Sequence, residues 1–206
     1  PAGPGATLRL VEVDRHRVAS AHVCGAHLRR HPRRQRPERG EAIGEAAENP
    51  AEKQFAMHSY GAQFAQVRVQ EETGEIRLDR MLGVFSVGRI INPRTARSQL
   101  LGGMTMGVGM ALHEKGELDP RFGHVVNHDL AEYHVPVHAD MPDLDVIFLD
   151  ELDDKSSPVK AKGIGELGIC GVGAAVANAV YNATGVRIRD YPLTIDKIIA
   201  GLKADA

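Results

Sequence analysis

The sequence predicts an α+β fold. Three observations carry that expectation: an alternating apolar pattern on either side of a Thr-Gly turn (residues 62–87), two glycine-rich stretches with helical periodicity (94–113 and 172–184), and an apolar run at 144–149. The 206 residues, 43% hydrophobic and 25% charged, are enough for one domain with a core or for two small ones. Twenty-two Gly beside no Trp, five Phe and four Tyr point to close backbone approaches rather than aromatic packing.

The elements follow in order. Residues 62–70 alternate, with Phe64, Val67 and Val69 apolar; Glu72-Thr-Gly-Glu75 supplies a turn, and residues 76–87 resume as the second strand of a β-hairpin. Asn92-Pro93 stops that strand and opens a helix, with Pro at an early helical position. From about 94 to 113, Leu100, Leu101, Met104, Val108, Ala111 and Leu112 share one stripe. Gly102, Gly103, Gly107 and Gly109 interrupt it, at about 1 kcal/mol each relative to Ala. Four such penalties predict another backbone or a ligand close along that helix, and Met104, Met106 and Met110 are expected as core filling. Leu144-Asp-Val-Ile-Phe-Leu149 reads as a strand, residues 172–184 as a second helix stopped by Gly185, and residues 186–188 as a short strand. A terminal helix begins after Thr194 as its cap.

Composition divides the chain near residue 50. The first fifty residues hold nine Arg, no Lys and no aromatic, and carry +3 against −5 for the remainder. Residues 1–54 are therefore expected to be an Arg-rich segment that is disordered or not native to the fold, with residues 55–206 forming the ordered part. The run from His27 to Arg39 admits a nucleic-acid arm, but no aromatic interleaves its arginines and a solvated tail is the plainer expectation. The N-terminus has no basic start followed by an apolar run and no initiator Met, which suits a chain that begins mid-protein. Neither charge-free stretch, 98–112 nor 167–186, reads as a membrane span: the first is too short and the second carries Asn178, Asn182 and several glycines. The compartment stays open. Cys24 and Cys170 can build neither a disulfide scaffold nor an iron–sulfur cluster, which takes four thiolates.

The richest stretch for chemistry runs from Lys160 to Gly173. Gly163-x-Gly165-x-x-Gly168 matches a dinucleotide fingerprint in form, yet residues 156–162 do not make the buried strand that a Rossmann loop requires. Glycines ahead of a helix leave N–H groups suited to a phosphate or another anion; close helix packing is the alternative use. Glu166, with glycines around it, would stand unshielded in a tight turn, as an acid near a helix N-terminus or as a catalytic group. Gln99, polar in an apolar helix opening, suits a polar cofactor if buried and solvent if not. Cys170 is expected as a small buried hydrophobe. His124, His128, His134 and His138 show no tight ligand pair, so no metal-ligating side chain is expected.

Several ordered blocks between about 58 and 202 carry a resemblance. They are His58-Ser-Tyr-Gly-Ala-Gln-Phe-Ala-Gln-Val67, Thr73-Gly-Glu-Ile76, Gly88-Arg-Ile-Ile-Asn-Pro93, Gln99-Leu-Leu-Gly-Gly-Met-Thr-Met-Gly-Val-Gly-Met-Ala-Leu112 and Lys162-Gly-Ile-Gly-Glu-Leu-Gly168. Together they resemble the molybdenum-binding subunit of the xanthine dehydrogenase/aldehyde oxidase family, most of all its bacterial periplasmic-type aldehyde oxidoreductases. The resemblance implies the C-terminal portion of the molybdopterin-binding domain of a molybdenum hydroxylase. It implies oxidation of aldehydes or N-heterocycles with water as the oxygen source and Glu166 as general base. Gln99, Gly163, Ile164 and Gly165 are implied as cofactor-binding residues, with molybdopterin as a cytosine dinucleotide. Leu167 departs from the Pro that follows this Glu in eukaryotic members. Iron–sulfur clusters and FAD are expected only on partner subunits of a multi-subunit complex. The family's earlier cofactor and substrate segments are absent, so a fragment inactive on its own is expected. Two alternatives stand beside this reading: a nicotinamide-dependent oxidoreductase using the 163–168 loop, and a non-catalytic binding module with a basic arm.

Overall fold

The computed structural model describes residues 6–11, 41–46 and 49–204, with side chains from residue 49 onward. In chain order its elements are β1 (Ala6–Val11), β2 (Glu41–Ala46), β3 (Tyr60–Val69), β4 (Ile76–Ser86), α1 (Pro93–Leu112), β5 (Leu118–Asp119), β6 (His124–Val125), β7 (Asp143–Phe148), α2 (Val172–Thr184) and α3 (Ile195–Ala204). The expected hairpin is β3 antiparallel to β4, and β7 adds parallel to β4, so the sheet order is β3-β4-β7. Parallel pairing requires a crossover, and α1 lies within it. The register shifts once, opposite Gln66 and Val67, leaving Asp79 as the extra residue of β4. That bulge explains why Leu78 and Met81, three apart, are both buried.

Asn92 caps α1, its side-chain oxygen accepting from the N–H groups of Arg94 (3.1 Å) and Thr95 (3.3 Å), with Pro93 in the first turn. Leu100, Met104, Val108 and Ala111 form its fully buried stripe. They pack with Phe85 and Met81 of β4, Val146 of β7 and Val172, Val176 and Val180 of α2 in one core. α2 ends where the sequence predicts: Gly185 takes a left-handed conformation and its N–H donates to the Tyr181 carbonyl (2.8 Å). At α3, Ile198 N–H donates to the Thr194 carbonyl (3.2 Å), which agrees with Thr194 as the cap position.

Some expectations need correction. Phe64 is exposed, because it lies three residues from Val67 and so on the opposite face of β3. Met104 is buried, but Met106 is 64% exposed, two residues on and therefore off the buried stripe; Met110 is also exposed. Residues 186–188 form no strand: Val186 packs against Gly201 of α3 instead of joining a ladder. The sequence reading places no element before residue 55, whereas β1 pairs antiparallel with β2 and a single 3₁₀ turn spans Pro50–Lys53. Asn49 caps that turn and its Nδ2 donates to the carbonyl of Lys155 (2.7 Å). The Arg-rich run 27–39 lies outside the described residues.

Candidate active site: the loop after β7

The chain between β7 and α2 is tied back to the end of β4. Arg89 N–H donates to the Lys160 carbonyl (2.7 Å) and Lys162 N–H to the Val87 carbonyl (2.8 Å), on either side of a single bridge between Gly88 and Ala161. Gly88 sits at φ +65°, and a Cβ there would lie 2.4 Å from the Lys160 carbonyl oxygen, so this crossing needs glycine. Farther on, the loop lies against α1. A Cβ on Gly168 would meet the Leu100 carbonyl oxygen at 2.5 Å, and one on Gly103 would meet Ile169 N at 2.9 Å. The glycines of α1 thus have two of the uses expected of them: Gly103 admits the backbone of the loop and Gly107 admits the Val172 side chain. At Gly102 there is open space.

Side-chain donors hold the loop by its carbonyls. Ser59 Oγ donates to the Gly163 carbonyl (2.5 Å), Gln99 Nε2 to that of Gly165 (2.6 Å), and Gln63 Nε2 to those of Gly168 (3.0 Å) and Cys170 (2.8 Å). The loop's N–H groups are used differently. Among the described residues, those of 163–168 donate to no acceptor, while Ile169 and Cys170 donate to the Glu166 carbonyl. A run of free donors beside glycines whose Cβ positions at 163 and 165 face open space forms a polar cradle.

Glu166 is exposed at the crest of this turn, and its carboxylate has no hydrogen-bond or ion-pair partner among the described residues. It precedes Val172, the first residue of α2, by six positions, beyond the reach of a helix dipole that fades within a turn. Ile164 and Leu167 are partly buried and pack on the core, anchoring the loop on both sides of Glu166. Gln99 is exposed and tied to Gly165, not buried in the helix opening. Cys170 is exposed, contrary to expectation, because it lies in the turn ahead of α2 and not on the helix's buried face. Ser59 and Gln63 escaped the reading by residue chemistry; their only signal was their place in the block 58–67. No group of three or more His, Cys, Asp or Glu poised for a metal occurs among the described residues. A cavity of about 850 Å³ lined by His113, His134 and Asp196 lies at the other end of α1, roughly 20 Å along the helix from Gln99.

Behind the loop, Lys162 Nζ donates to Glu151 Oε1 (2.5 Å) and to Ser86 Oγ (2.8 Å), and the Ser86 hydroxyl donates to the same Glu151 oxygen. The hydrogen bond from Lys162, followed by that from Ser86, holds the Glu151 carboxyl below the usual carboxylate range. A carboxyl whose pKa is depressed by folding contributes stability above its unfolded pKa and loses it as pH falls through the folded value. Between about pH 6 and pH 3 the unfolding temperature of the parent chain should therefore fall more steeply than that of Glu151→Gln. Parallel curves would count against this contribution.

A glycine turn with free N–H donors beside a helix and an unpaired carboxylate at its crest is, among the described residues, a site suited to a polar or anionic cofactor, and no Rossmann strand leads into it. A sequence profile of the molybdopterin cofactor-binding domain matches residues 12–142, and the chain belongs to that family. It is 58% identical over 147 residues (71% of this chain, 20% of the relative) to the molybdenum-binding subunit of an aldehyde oxidoreductase of Escherichia coli K12. It is 37% identical over 158 residues (77% and 21%) to a putative xanthine dehydrogenase molybdenum-binding subunit of the same strain. The crystal structure of quinoline 2-oxidoreductase from Pseudomonas putida 86 superposes with a TM-score of 0.70 at 26% identity, over 84% of this chain and 21% of that one. The resemblance read from the sequence is borne out. The chain spans about a fifth of the length of the curated relatives it matches.

The residues present fit a molybdopterin group. Its polar pterin and phosphate edges call for N–H donors and an opening without side chains, and residues 163–168 supply both. Gln63 Oε1, buried without a partner, is a further acceptor at the base of the loop.

Proposed function

We propose that the chain is part of the molybdenum-binding subunit of an oxidoreductase that hydroxylates aldehydes or N-heterocycles with oxygen taken from water. The observation that carries this reading is the fixed loop: its carbonyls are held by Ser59, Gln99 and Gln63, and among the described residues its N–H groups are free and Glu166 is unpaired at its crest. Gln99 and the backbone of Gly163, Ile164 and Gly165 would hold the cofactor, which supplies the metal and the two-electron redox chemistry when bound. Glu166 is the general base, taking up at its carboxylate the proton released from the oxygen nucleophile. A carboxylate with no competing partner among the described residues is free to accept it. The pterin is proposed to carry a cytosine dinucleotide. Iron–sulfur and FAD subunits are proposed as partners, and the segment is inactive alone. The relatives named above act on, or are named for, aldehydes, xanthine and quinoline, which supports this substrate class.

The nicotinamide alternative loses its footing, since no strand ends at Lys162; residues 156–162 form only the bridge at Ala161. The basic arm of the binding-module alternative lies outside the described residues. Gln99→Ala in the complete enzyme should reduce molybdenum content, because a lost hydrogen bond of about 0.5–1.5 kcal/mol frees the Gly165 carbonyl and weakens retention roughly 2–10-fold. Elemental analysis after gel filtration checks this. Unchanged molybdenum would remove Gln99 from the cofactor site, and nicotinamide binding without molybdenum would reverse the reading.

A further inference from the structure

Lys162 is held in two ways at once. Its N–H is bound to Val87 (2.8 Å), and its ammonium turns back beneath the ring of Tyr60 (5.2 Å to the centroid) onto Glu151 and Ser86. The Lys162 side chain is only 7% exposed, and Ser86 is fully buried. The Glu151 end of the pair is 32% exposed, and such a partly buried ion pair is a weak source of stability, since apolar groups of the same size often do as well. What it does supply is direction, because each charge-assisted hydrogen bond fixes a donor against one acceptor. Lys162 is therefore a fixed point of the chain.

From that point the chain runs Gly163, Ile164, Gly165, Glu166. Nothing lies within 4 Å of a Cβ at either glycine, so this stretch is restrained by the packing of Ile164 on the core and by the carbonyl contacts from Ser59 and Gln99. On the far side Leu167 packs on the core and Gly168 lies against Leu100. Glu166 lies between packed contacts at Ile164 and at Leu167–Gly168, and the charge cluster at Lys162 fixes the root of the near side. We propose, resting on the reading of Glu166 as the base, that the Lys162–Glu151–Ser86 cluster is the positioning device of that base, setting the root from which the glycine turn presents its carboxylate. A general base misplaced by about 1 Å loses up to roughly 100-fold in rate, so a root that slips is felt at the crest.

The test uses the complete cofactor-loaded enzyme that carries this chain. Lys162→Met should lower kcat by about tenfold or more with KM within about threefold, and amide hydrogen exchange at residues 163–168 should quicken while molybdenum content holds. Lys162→Met/Glu151→Leu removes both charges and should recover the unfolding temperature without recovering kcat or slow exchange. If kcat returns together with the unfolding temperature, the cluster is only structural and the proposal is overturned. In a Glu166→Gln background Lys162→Met should cost nothing further; a repeated full loss would show that Lys162 acts elsewhere and would overturn it as well. Should Lys162→Met not fold, Ser86→Ala removes one acceptor and leaves the ion pair. It should cost about threefold in kcat with faster exchange at 163–168, and native values of both would overturn the proposal. Full turnover in Glu166→Gln alone overturns the base reading and this proposal with it. A Glu166-dependent enzyme whose Lys162→Met form keeps native exchange and kcat overturns the proposal only.

Discussion

Glu166→Gln in the complete enzyme is expected to keep its molybdenum and lose about 10²–10⁴-fold in turnover, the usual cost of removing a positioned base. Glutamine has the same size and reach but cannot take up a proton. The fold should not register the change. Among the described residues the carboxylate makes no hydrogen bond or ion pair to lose, and the Glu166 carbonyl that accepts from Ile169 (3.2 Å) and Cys170 (3.4 Å) belongs to the backbone. Stability should therefore stay within about 0.5 kcal/mol of the parent. Aldehyde turnover with an artificial electron acceptor and molybdenum content, measured on one preparation, separate the outcomes. Normal turnover in the variant would take the catalytic role away from Glu166, whereas loss of both turnover and molybdenum would make it a cofactor-holding residue instead.

Gly168→Ala is expected to destabilise by about 1–3 kcal/mol and to loosen the whole loop. The added methyl would stand 2.5 Å from the Leu100 carbonyl oxygen and 3.0 Å from Leu100 Cα. Those atoms belong to the backbone of a packed helix and cannot turn aside as a side chain would. The loop must lift, and the Gln63 hydrogen bonds to Gly168 and Cys170 lift with it. Gly102→Ala is the same chemical change at a position with nothing within 4 Å, and there the helix should gain up to about 1 kcal/mol. Denaturant midpoints of the two variants should move in opposite directions. A Gly168→Ala protein as stable as its parent would show that the loop does not press on α1 as described.

Much of the fold was legible because its signals are local. Asn92-Pro93 and the stripe from Leu100 to Ala111 mark α1, and Gly185 marks the end of α2, because caps, breakers and a 3.6-residue period act within a few residues. The hairpin was readable from its turn, but the face of Phe64 was not, since Phe64 and Val67 are both apolar yet an odd number of residues apart, and only packing shows which face of β3 is covered. The four glycines of α1 announced a close approach without saying by what. Gly103 received the loop backbone and Gly107 a valine side chain, and only packing distinguishes the two.

At the candidate site, Glu166, Gly163, Gly165 and Gln99 were visible in the sequence because an acid among glycines and an amide in an apolar helix are each anomalous in their own neighbourhood. Ser59, Gln63, Ser86 and Glu151 are ordinary residues on ordinary segments. Their importance appears when β3 brings Ser59 and Gln63 under a loop about a hundred residues later, and when Lys162 meets Ser86 across 76 residues of chain. The sequence by itself determined the helices, the hairpin and the glycine turn with its acid, all products of short-range sterics and periodicity. The tertiary structure alone decided that β7 runs parallel beside β4, that Cys170 faces outward, and which donors hold the turn. Hydrogen bonds and ion pairs between distant segments depend on where the chain crosses itself, and no local pattern carries that information.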